Sequence, residues 1–97
     1  MRIISKKPLR DFWIKYPDTE QPLKSWHSIA KSARWHTPAE VKAQFRNASL
    51  VGNNRFVFNI SGNKYRLVVF VKYSIQRVYV RFIGTHSEYD KIDVSEV

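Results

Sequence analysis

The stretch from Arg55 to Asp90 constrains the fold more than any other part of the chain. Its β-branched and aromatic residues alternate with polar ones, and the alternation breaks only at Ser61–Asn63 and at Ser74–Gln76. A period of two places successive side chains on opposite faces of a strand, so the pattern predicts three antiparallel strands joined by two hairpin turns. The face expected to be buried carries Phe56, Phe58, Ile60, Tyr65, Leu67, Val69, Val71, Tyr73, Val78, Val80 and Phe82.

The opposite face of these strands is predicted to be basic. If the apolar residues share one face, the second turn holds an even number of residues, most simply four, and Arg81 lies opposite Val68 or Phe70. In the first case Arg66 is the diagonal neighbour of Arg81, roughly 7 to 8 Å away. This basic face also carries apolar residues, so we expect part of it to be covered by the C-terminal tail or a partner. The apolar residues are Val57, Val68, Phe70 and Ile83. The polar residues of this face are Arg55, Asn59, Lys64, Arg66, Lys72, Arg77, Tyr79 and Arg81.

Three helices are predicted upstream of the strands. Pro8 opens the first, since its missing N–H costs little in a first turn, and Pro17 ends it. Asp18 is expected to cap the second helix, whose apolar residues follow at helical spacing. Thr37 and Glu40 have the spacing of a capping box and predict the start of the third.

These segments predict a single α+β domain over residues 1–97, with an antiparallel-rich curved sheet and two to three N-terminal helices packed on one face. A short first strand is expected at Arg2 to Ser5. The segment from Asn47 to Asn54 reads as a loop, with Leu50 and Val51 turned inward.

The charge balance predicts a polyanionic partner. The chain has 17 Lys and Arg against 8 Asp and Glu, a formal net charge of +9. An excess of this size favours nucleic acid over the competing interpretation, a charge that serves only solubility or nonspecific binding. No apolar run approaches the roughly 20 residues of a membrane-spanning helix, so no membrane partner is expected and the cytoplasm is the expected location. The absence of cysteine excludes disulfides, thiolate metal sites and cysteine nucleophiles.

Four residues at the end of the strands are the candidates for catalysis: Arg66, Arg81, His86 and Tyr89. Guanidinium groups bind phosphate oxygens and stabilise developing negative charge, while imidazole and phenol transfer protons, so the set fits phosphodiester chemistry. Tyr89 is either a base-stacking platform or a proton donor, and Lys64 is an alternative donor. The competing interpretations are solvated strand arginines and a histidine that only packs or caps.

Metal chemistry is disfavoured by the sequence, and no cofactor is expected. His27 and His36 lie in or beside helices and have no third ligand at suitable spacing. Glu88, Asp90 and Asp93 are the one acidic cluster, and they form a poor two-metal centre because no partner carboxylates lie upstream. Pairing of these acids with Lys91 or an arginine is the preferred interpretation.

Several motifs resemble those of a known toxin family. The segments FNISGNKYRLVVFVKY and VYVRFIGTHSEYDKID are similar to the signature of the HigB toxins, mRNA endonucleases of type II toxin-antitoxin pairs within the RelE-like superfamily. The upstream FWIKYPD, the Leu23–Trp26 helix and VKAQF fit the same family, so most of the chain is covered.

The resemblance implies a RelE-like toxin fold and a metal-independent endoribonuclease. Its substrate would be mRNA in the ribosomal A site, cut by attack of a 2′-hydroxyl to give a 2′,3′-cyclic phosphate, and a HigA-like antitoxin would silence it. Strand arginines in this superfamily hold the scissile phosphate, which is the role implied for Arg66 and Arg81. The alternatives are a non-catalytic basic RNA-binding module and, less favoured, a DNA-binding or structural subunit.

Overall fold

Five strands form one mixed sheet in the computed structural model, which describes residues 1–97. The order is β1-β5-β4-β3-β2, and only β1 and β5 run parallel. The α+β class and the three consecutive antiparallel strands are confirmed, whereas the curvature of the sheet and the packing of all helices on one face stay predictions. The strands are β1 (Arg2–Ile4), β2 (Ser49–Leu50), β3 (Arg55–Ile60), β4 (Tyr65–Lys72) and β5 (Arg77–Thr85).

The two edge strands are short and extend the sheet beyond the expected meander. β1 pairs with the start of β5, with Ile3 beside Val78. β2 lies inside the segment expected to be a loop, and Leu50 is half exposed rather than turned inward. Because β2 pairs only with Phe56 and Val57, the last residues of β3 have no neighbouring strand on that side.

Both hairpins have four-residue turns. Ile60 pairs with Tyr65, and Lys72 pairs with Arg77, so the predicted length of the second turn is confirmed. Gln76 has a left-handed backbone conformation there (φ 55°). Lys64 lies in the first turn rather than on the basic face, because the strand begins one residue later.

The helices are α1 (Lys7–Lys15), α2 (Glu20–Ser32), α3 (Pro38–Gln44) and α4 (His86–Tyr89). Asp18 does not cap α2, because a 3₁₀ turn intervenes and Asp18 instead accepts a hydrogen bond from the Tyr65 hydroxyl (3.1 Å). Thr37 does cap α3 by accepting from Glu40 N–H (3.3 Å). The Glu40 carboxylate accepts from His36 N–H (3.0 Å), one residue before the position that a capping box requires.

One buried apolar cluster joins the helices to the sheet. Leu9, Leu23 and Val41 of the first three helices are fully buried, and complete burial of such a side chain contributes about 1.5–3 kcal/mol. Trp26 meets Phe58 edge to face, with ring centroids 5.5 Å apart. The three tryptophans belong to this cluster, as expected. Its strand members are Phe56, Phe58, Ile60, Tyr65, Leu67, Val69, Val71 and Val78.

A β-bulge in β5 overturns part of the expected face assignment. Val80 pairs with Val69 and Phe82 pairs with Val68, so Arg81 is an extra residue with no partner on β4. It lies opposite neither Val68 nor Phe70, and the phase of the alternation changes at this residue.

The two residues after the bulge exchange faces relative to the expectation. Ile83 packs against the core, whereas Phe82 joins the basic face. The cause is that an extra residue in a strand of period two moves every later side chain to the opposite face.

The C-terminal tail reaches the basic face. The Arg55 side chain donates a hydrogen bond from Nε to the Val97 carbonyl oxygen (2.9 Å). Val57 and Val68 point to this face, yet they are 5% and 0% exposed. Ile92 and Val94 of the tail are themselves half-buried.

Candidate active site

The bulge separates the cationic residues of the basic face into two groups. Arg66 pairs with Gly84, while Arg81 lies three residues earlier on β5. Because Arg81 is the bulge residue, the offset along the strands is between two and three residues at about 3.3 Å each. Combined with about 5 Å between the strands, this offset gives roughly 10 Å between their Cα atoms, which is farther than a diagonal pair. We call Lys64, Arg66, His86, Tyr89 and Asp90 the α4 site. We call Arg55, Phe70, Tyr79 and Arg81 the arginine–aromatic cluster.

The short helix α4 carries the proton-transfer candidates of the α4 site. Thr85 caps it, since its hydroxyl accepts from Glu88 N–H (3.2 Å) and the Glu88 carboxylate accepts from Thr85 N–H (2.8 Å). The hydrogen bond from the Thr85 backbone holds the pKa of Glu88 below its usual value. Because a charged acceptor strengthens such a bond, the reciprocal pair fixes a helix that is too short to be stable alone.

His86 is oriented by a carboxylate of the same helix. Its Nδ1 lies 3.0 Å from Asp90 Oδ2, and the two side chains are 49% and 60% exposed. An ionised carboxylate only accepts hydrogen bonds, so Nδ1 carries the proton and Nε2 of the neutral ring keeps a free lone pair. This arrangement suits a general base that faces solvent.

Arg66 and Tyr89 complete the α4 site. The Arg66 guanidinium carbon lies 6.0 Å from the centre of the Tyr89 ring, and its Nη1 donates to the Asn63 carbonyl oxygen (3.0 Å). Lys64 adjoins them, since its carbonyl oxygen accepts from His86 N–H (3.0 Å). A cation, an imidazole, a phenol and an ammonium group thus occupy one end of the sheet.

The arginine–aromatic cluster lies farther along the same face. The guanidinium carbon of Arg81 lies 5.4 Å from the Tyr79 ring centre and 5.9 Å from that of Phe70. Arg55 approaches Phe70 as well (5.3 Å). Cations over aromatic rings are held in place by the ring quadrupole while their N–H groups stay available. Such a surface can bind phosphates and stack bases.

The other predicted RNA-binding residues are spread along the strands. Asn59 pairs directly with Arg66 and therefore adjoins the α4 site. Lys72 pairs with Arg77 beside the second turn, at the opposite end of β4. The predicted set thus forms a track across the face rather than one pocket.

The acidic residues of the C-terminal segment have separate roles. Glu88 caps α4, Asp90 contacts His86, and Asp93 accepts from the Ser95 hydroxyl (2.7 Å). The expected pairing of these acids with Lys91 or an arginine is wrong, since none of the ion pairs involves those partners. No three His, Asp or Glu side chains are grouped closely enough to share a metal ion.

Sequence reasoning missed Asp90 and Phe82 as parts of the site. In the sequence, Asp90 falls in the acidic cluster with Glu88 and Asp93, and no helix is predicted after the last strand. The capping-box spacing of Thr85 and Glu88 was the available signal, and it would have placed His86 and Asp90 one helical turn apart. Phe82, whose ring centre is 6.4 Å from that of Tyr89, gave no such signal.

Comparisons with known proteins agree with this geometry. The family model of the HigB toxin, the RelE-like toxic component of a toxin-antitoxin system, matches residues 19–92. The mRNA interferase HigB of Escherichia coli O6:H1 is 32% identical over 94 residues, which span 95% of the chain and 91% of that relative. The mRNA interferase toxin HigB of Escherichia coli strain K12 is 32% identical over 92 residues, 93% of the chain and 88% of that relative. The chain therefore belongs to the HigB toxin family of RelE-like toxins.

No helix in the structure combines the length and apolar character that crossing a membrane requires. The family model and the two relatives confirm, at the level of the family, the resemblance seen in the sequence.

Proposed function

We propose that the chain is a metal-independent endoribonuclease that cuts mRNA on the ribosome, in the cytoplasm, and is neutralised by a HigA-like antitoxin. The names of its relatives support the substrate class, since they are mRNA interferases. The observation that carries the proposal is the pair of His86 Nδ1 and Asp90 Oδ2 beside Arg66 and Tyr89.

The proposed reaction uses the RNA as its own nucleophile. Nε2 of His86 takes the proton of a ribose 2′-hydroxyl, and the oxygen attacks the adjacent phosphorus. The bond from phosphorus to the 5′-oxygen breaks, and that oxygen takes a proton from Tyr89, with Lys64 as the alternative donor. The products are a 2′,3′-cyclic phosphate and a free 5′-hydroxyl, and both proton carriers return to their starting states by exchange with solvent.

The two arginines are proposed to have different tasks. Arg66 adjoins Tyr89, so it is positioned to stabilise the extra negative charge on the pentacoordinate phosphorus. Arg81 contacts Tyr79 and Phe70 instead, so it is proposed to hold the RNA backbone outside the reacting bond, together with Arg55, Asn59, Lys72 and Arg77. This division replaces the shared phosphate clamp that the sequence suggested.

Single-turnover cleavage of an mRNA bound to the ribosome tests the proposal, with product ends identified by their phosphates. His86→Gln is expected to lower the rate by roughly 10²-fold or more, which is the range for loss of general acid-base help, while RNA affinity stays unchanged. His36→Gln is the matched control, since His36 is an exposed histidine outside the site. Normal cleavage by His86→Gln would contradict the role of His86.

The arginine variants separate rate from binding. Arg66→Ala is expected to reduce the rate at saturating RNA, whereas Arg81→Ala weakens binding and lowers the dependence of affinity on salt by about one phosphate contact. Arg10→Ala is the control for loss of a surface charge. A chain that binds RNA with this salt dependence but yields no cyclic phosphate even from ribosome-bound mRNA would be the non-catalytic RNA-binding module instead.

A further inference from the structure

A cavity of about 350 Å³ lies at the outer edge of β3. β2 pairs with β3 only through Ser49 beside Val57 and Leu50 beside Phe56, so Phe58 to Ile60 have no strand on that side. Helix α2 and the segment after α3 form the remaining walls. The apolar lining residues are Trp26, Ile29, Phe45, Ala48, Phe58 and Ile60.

One buried donor beside this cavity lacks a partner. Trp26 is 3% exposed, lines the cavity, and has no acceptor for its buried indole N–H. Trp35 differs, since its indole N–H donates to Gln44 Oε1 (2.9 Å). A buried donor without a partner costs about 1–3 kcal/mol, so a shift of the cavity walls that admits an acceptor from outside would be favoured.

The backbone of Asn59 adds a second donor and an acceptor. The N–H and C=O groups of Arg55 bond to Gly52 and Val51 on the outer side of β3. Strand periodicity points the peptide groups of Asn59 to that same side, beyond the end of β2, where they have no partner. This short length of open edge can accept an extended segment from another chain.

We propose that this cavity is a docking site for the antitoxin. An extended antitoxin segment would pair with the backbone of Asn59 and place one apolar side chain against Phe45 and Phe58. With a shift of the cavity walls, it would also give a carbonyl oxygen to the buried indole N–H of Trp26. Arg46 lines the cavity, is exposed and takes part in no ion pair. An acidic residue of the segment would therefore lie beside Arg46.

The lining favours a protein segment over RNA. Arg46 is the only cationic residue of the cavity, while six of its eleven lining residues are hydrophobic. RNA binding depends on several cations and exposed aromatic faces, and those lie on the basic face. A segment bound in the cavity can also inhibit cleavage, because Asn59 of the cavity pairs with Arg66 of the α4 site. An antitoxin seated here lies one strand away from the α4 site and can cover it.

The proposal rests on membership of a toxin-antitoxin family and not on catalysis by this chain. The probe is the purified antitoxin, the second protein of the gene pair, titrated into the full-length chain. Ile29→Glu introduces a charge at the rim of the cavity, where Ile29 is 37% exposed. We expect antitoxin affinity to fall about tenfold or more, the effect of an unpaired charge in an interface. Ile14→Glu is the matched control on α1, since Ile14 is 70% exposed and outside the cavity.

Nuclear magnetic resonance of the indole N–H groups gives a second readout that does not need a variant. Saturation with the antitoxin is expected to shift the Trp26 indole signal downfield, because that group gains an acceptor, and to leave the Trp35 signal in place. Arg46→Glu should weaken the antitoxin about as much as Ile29→Glu, with Arg10→Glu as its control.

Three results would overturn the proposal. They are equal antitoxin affinity of the Ile29→Glu and Ile14→Glu chains, an unmoved Trp26 indole signal in the saturated complex, and a Trp26 shift produced by a short RNA instead of by the antitoxin. RNA cleavage by Ile29→Glu is measured in parallel and should equal that of wild type. If neither the wild type nor Ile29→Glu cuts RNA, the proposed function is rejected. The comparison of antitoxin affinities still tests the docking site in that case.

Discussion

Gly84→Ala is expected to destabilise the chain, mainly by clashing with the Phe82 ring. A Cβ atom at residue 84 would lie 2.6 Å from Phe82 Cζ, 3.2 Å from Phe82 Cε1 and 3.0 Å from Glu88 Oε1, whereas ordinary contacts begin near 3.4 Å. The half-buried ring therefore has to move by about 1 Å and the carboxylate by less, and overpacking of this kind costs about 1–3 kcal/mol. For a domain of this size, Tm falls by about 4–8 °C for each kcal/mol.

A double-mutant cycle isolates the clash from other effects of the alanine. Leucine at residue 82 lacks the Cζ and Cε1 atoms, so Gly84→Ala should cost less in a Phe82→Leu background, where the contact with Glu88 Oε1 remains. Thermal and urea unfolding of the wild type, the two single variants and the double variant give a coupling free energy, which we expect to be about 1 kcal/mol or more.

The same variants also test whether the packing of the Phe82 ring affects cleavage at the α4 site. The Phe82 ring neighbours that of Tyr89, which lies beside Arg66, so Gly84→Ala should slow RNA cleavage and the double variant should recover part of the rate. Single-variant costs that add to within about 0.5 kcal/mol would refute the reasoning, since the ring would then not be the cause.

Three further outcomes are expected. Asp90→Asn should lower the cleavage rate by no more than about fivefold, because an exposed ion pair contributes about 0.2–1 kcal/mol, and a loss as large as that of His86→Gln would contradict this. The pKa of Glu88 is lowered in the folded chain, so its contribution to stability is complete above the unfolded value near 4.5 and is lost as pH falls below it; amide exchange at Thr85 should rise there, and Glu88→Gln should remove the pH dependence. Excess EDTA should leave cleavage of ribosome-free RNA unchanged, and activity that requires added Mg²⁺ would contradict the proton-transfer scheme.

Much of the fold follows from local pattern, and the failures have one physical origin. The alternation of apolar and polar residues located β3, β4 and β5. The requirement that the apolar residues share one face correctly gave the second turn four residues. The bulge escaped detection because Val78, Val80 and Phe82 continue a regular alternation in sequence. The face that each residue of β5 takes is decided by its pairing with β4. That pairing is a long-range contact, which no short stretch of sequence contains.

The same limit explains what was misjudged in the site. Arg66, His86 and Tyr89 come together because local signals place them near the junction of β4, β5 and α4. The position of Arg81 depends on the bulge, and the parallel pairing of β1 depends on residues far apart in sequence. The face of Arg81 could be foreseen, but its distance from Arg66 could not.

The bulge also has a consequence for how this toxin can change by insertion and deletion. Val80 and Phe82 already pair with adjacent residues of β4, Val69 and Val68. A loss of the single codon for Arg81 would therefore leave a regular ladder, with every remaining side chain of β5 on its present face. Deletion of any other residue of β5 would move the residues between the deletion and the bulge to the opposite face of the sheet. Arg81 is thus the one residue of this strand that evolution can gain or remove without redesigning the core.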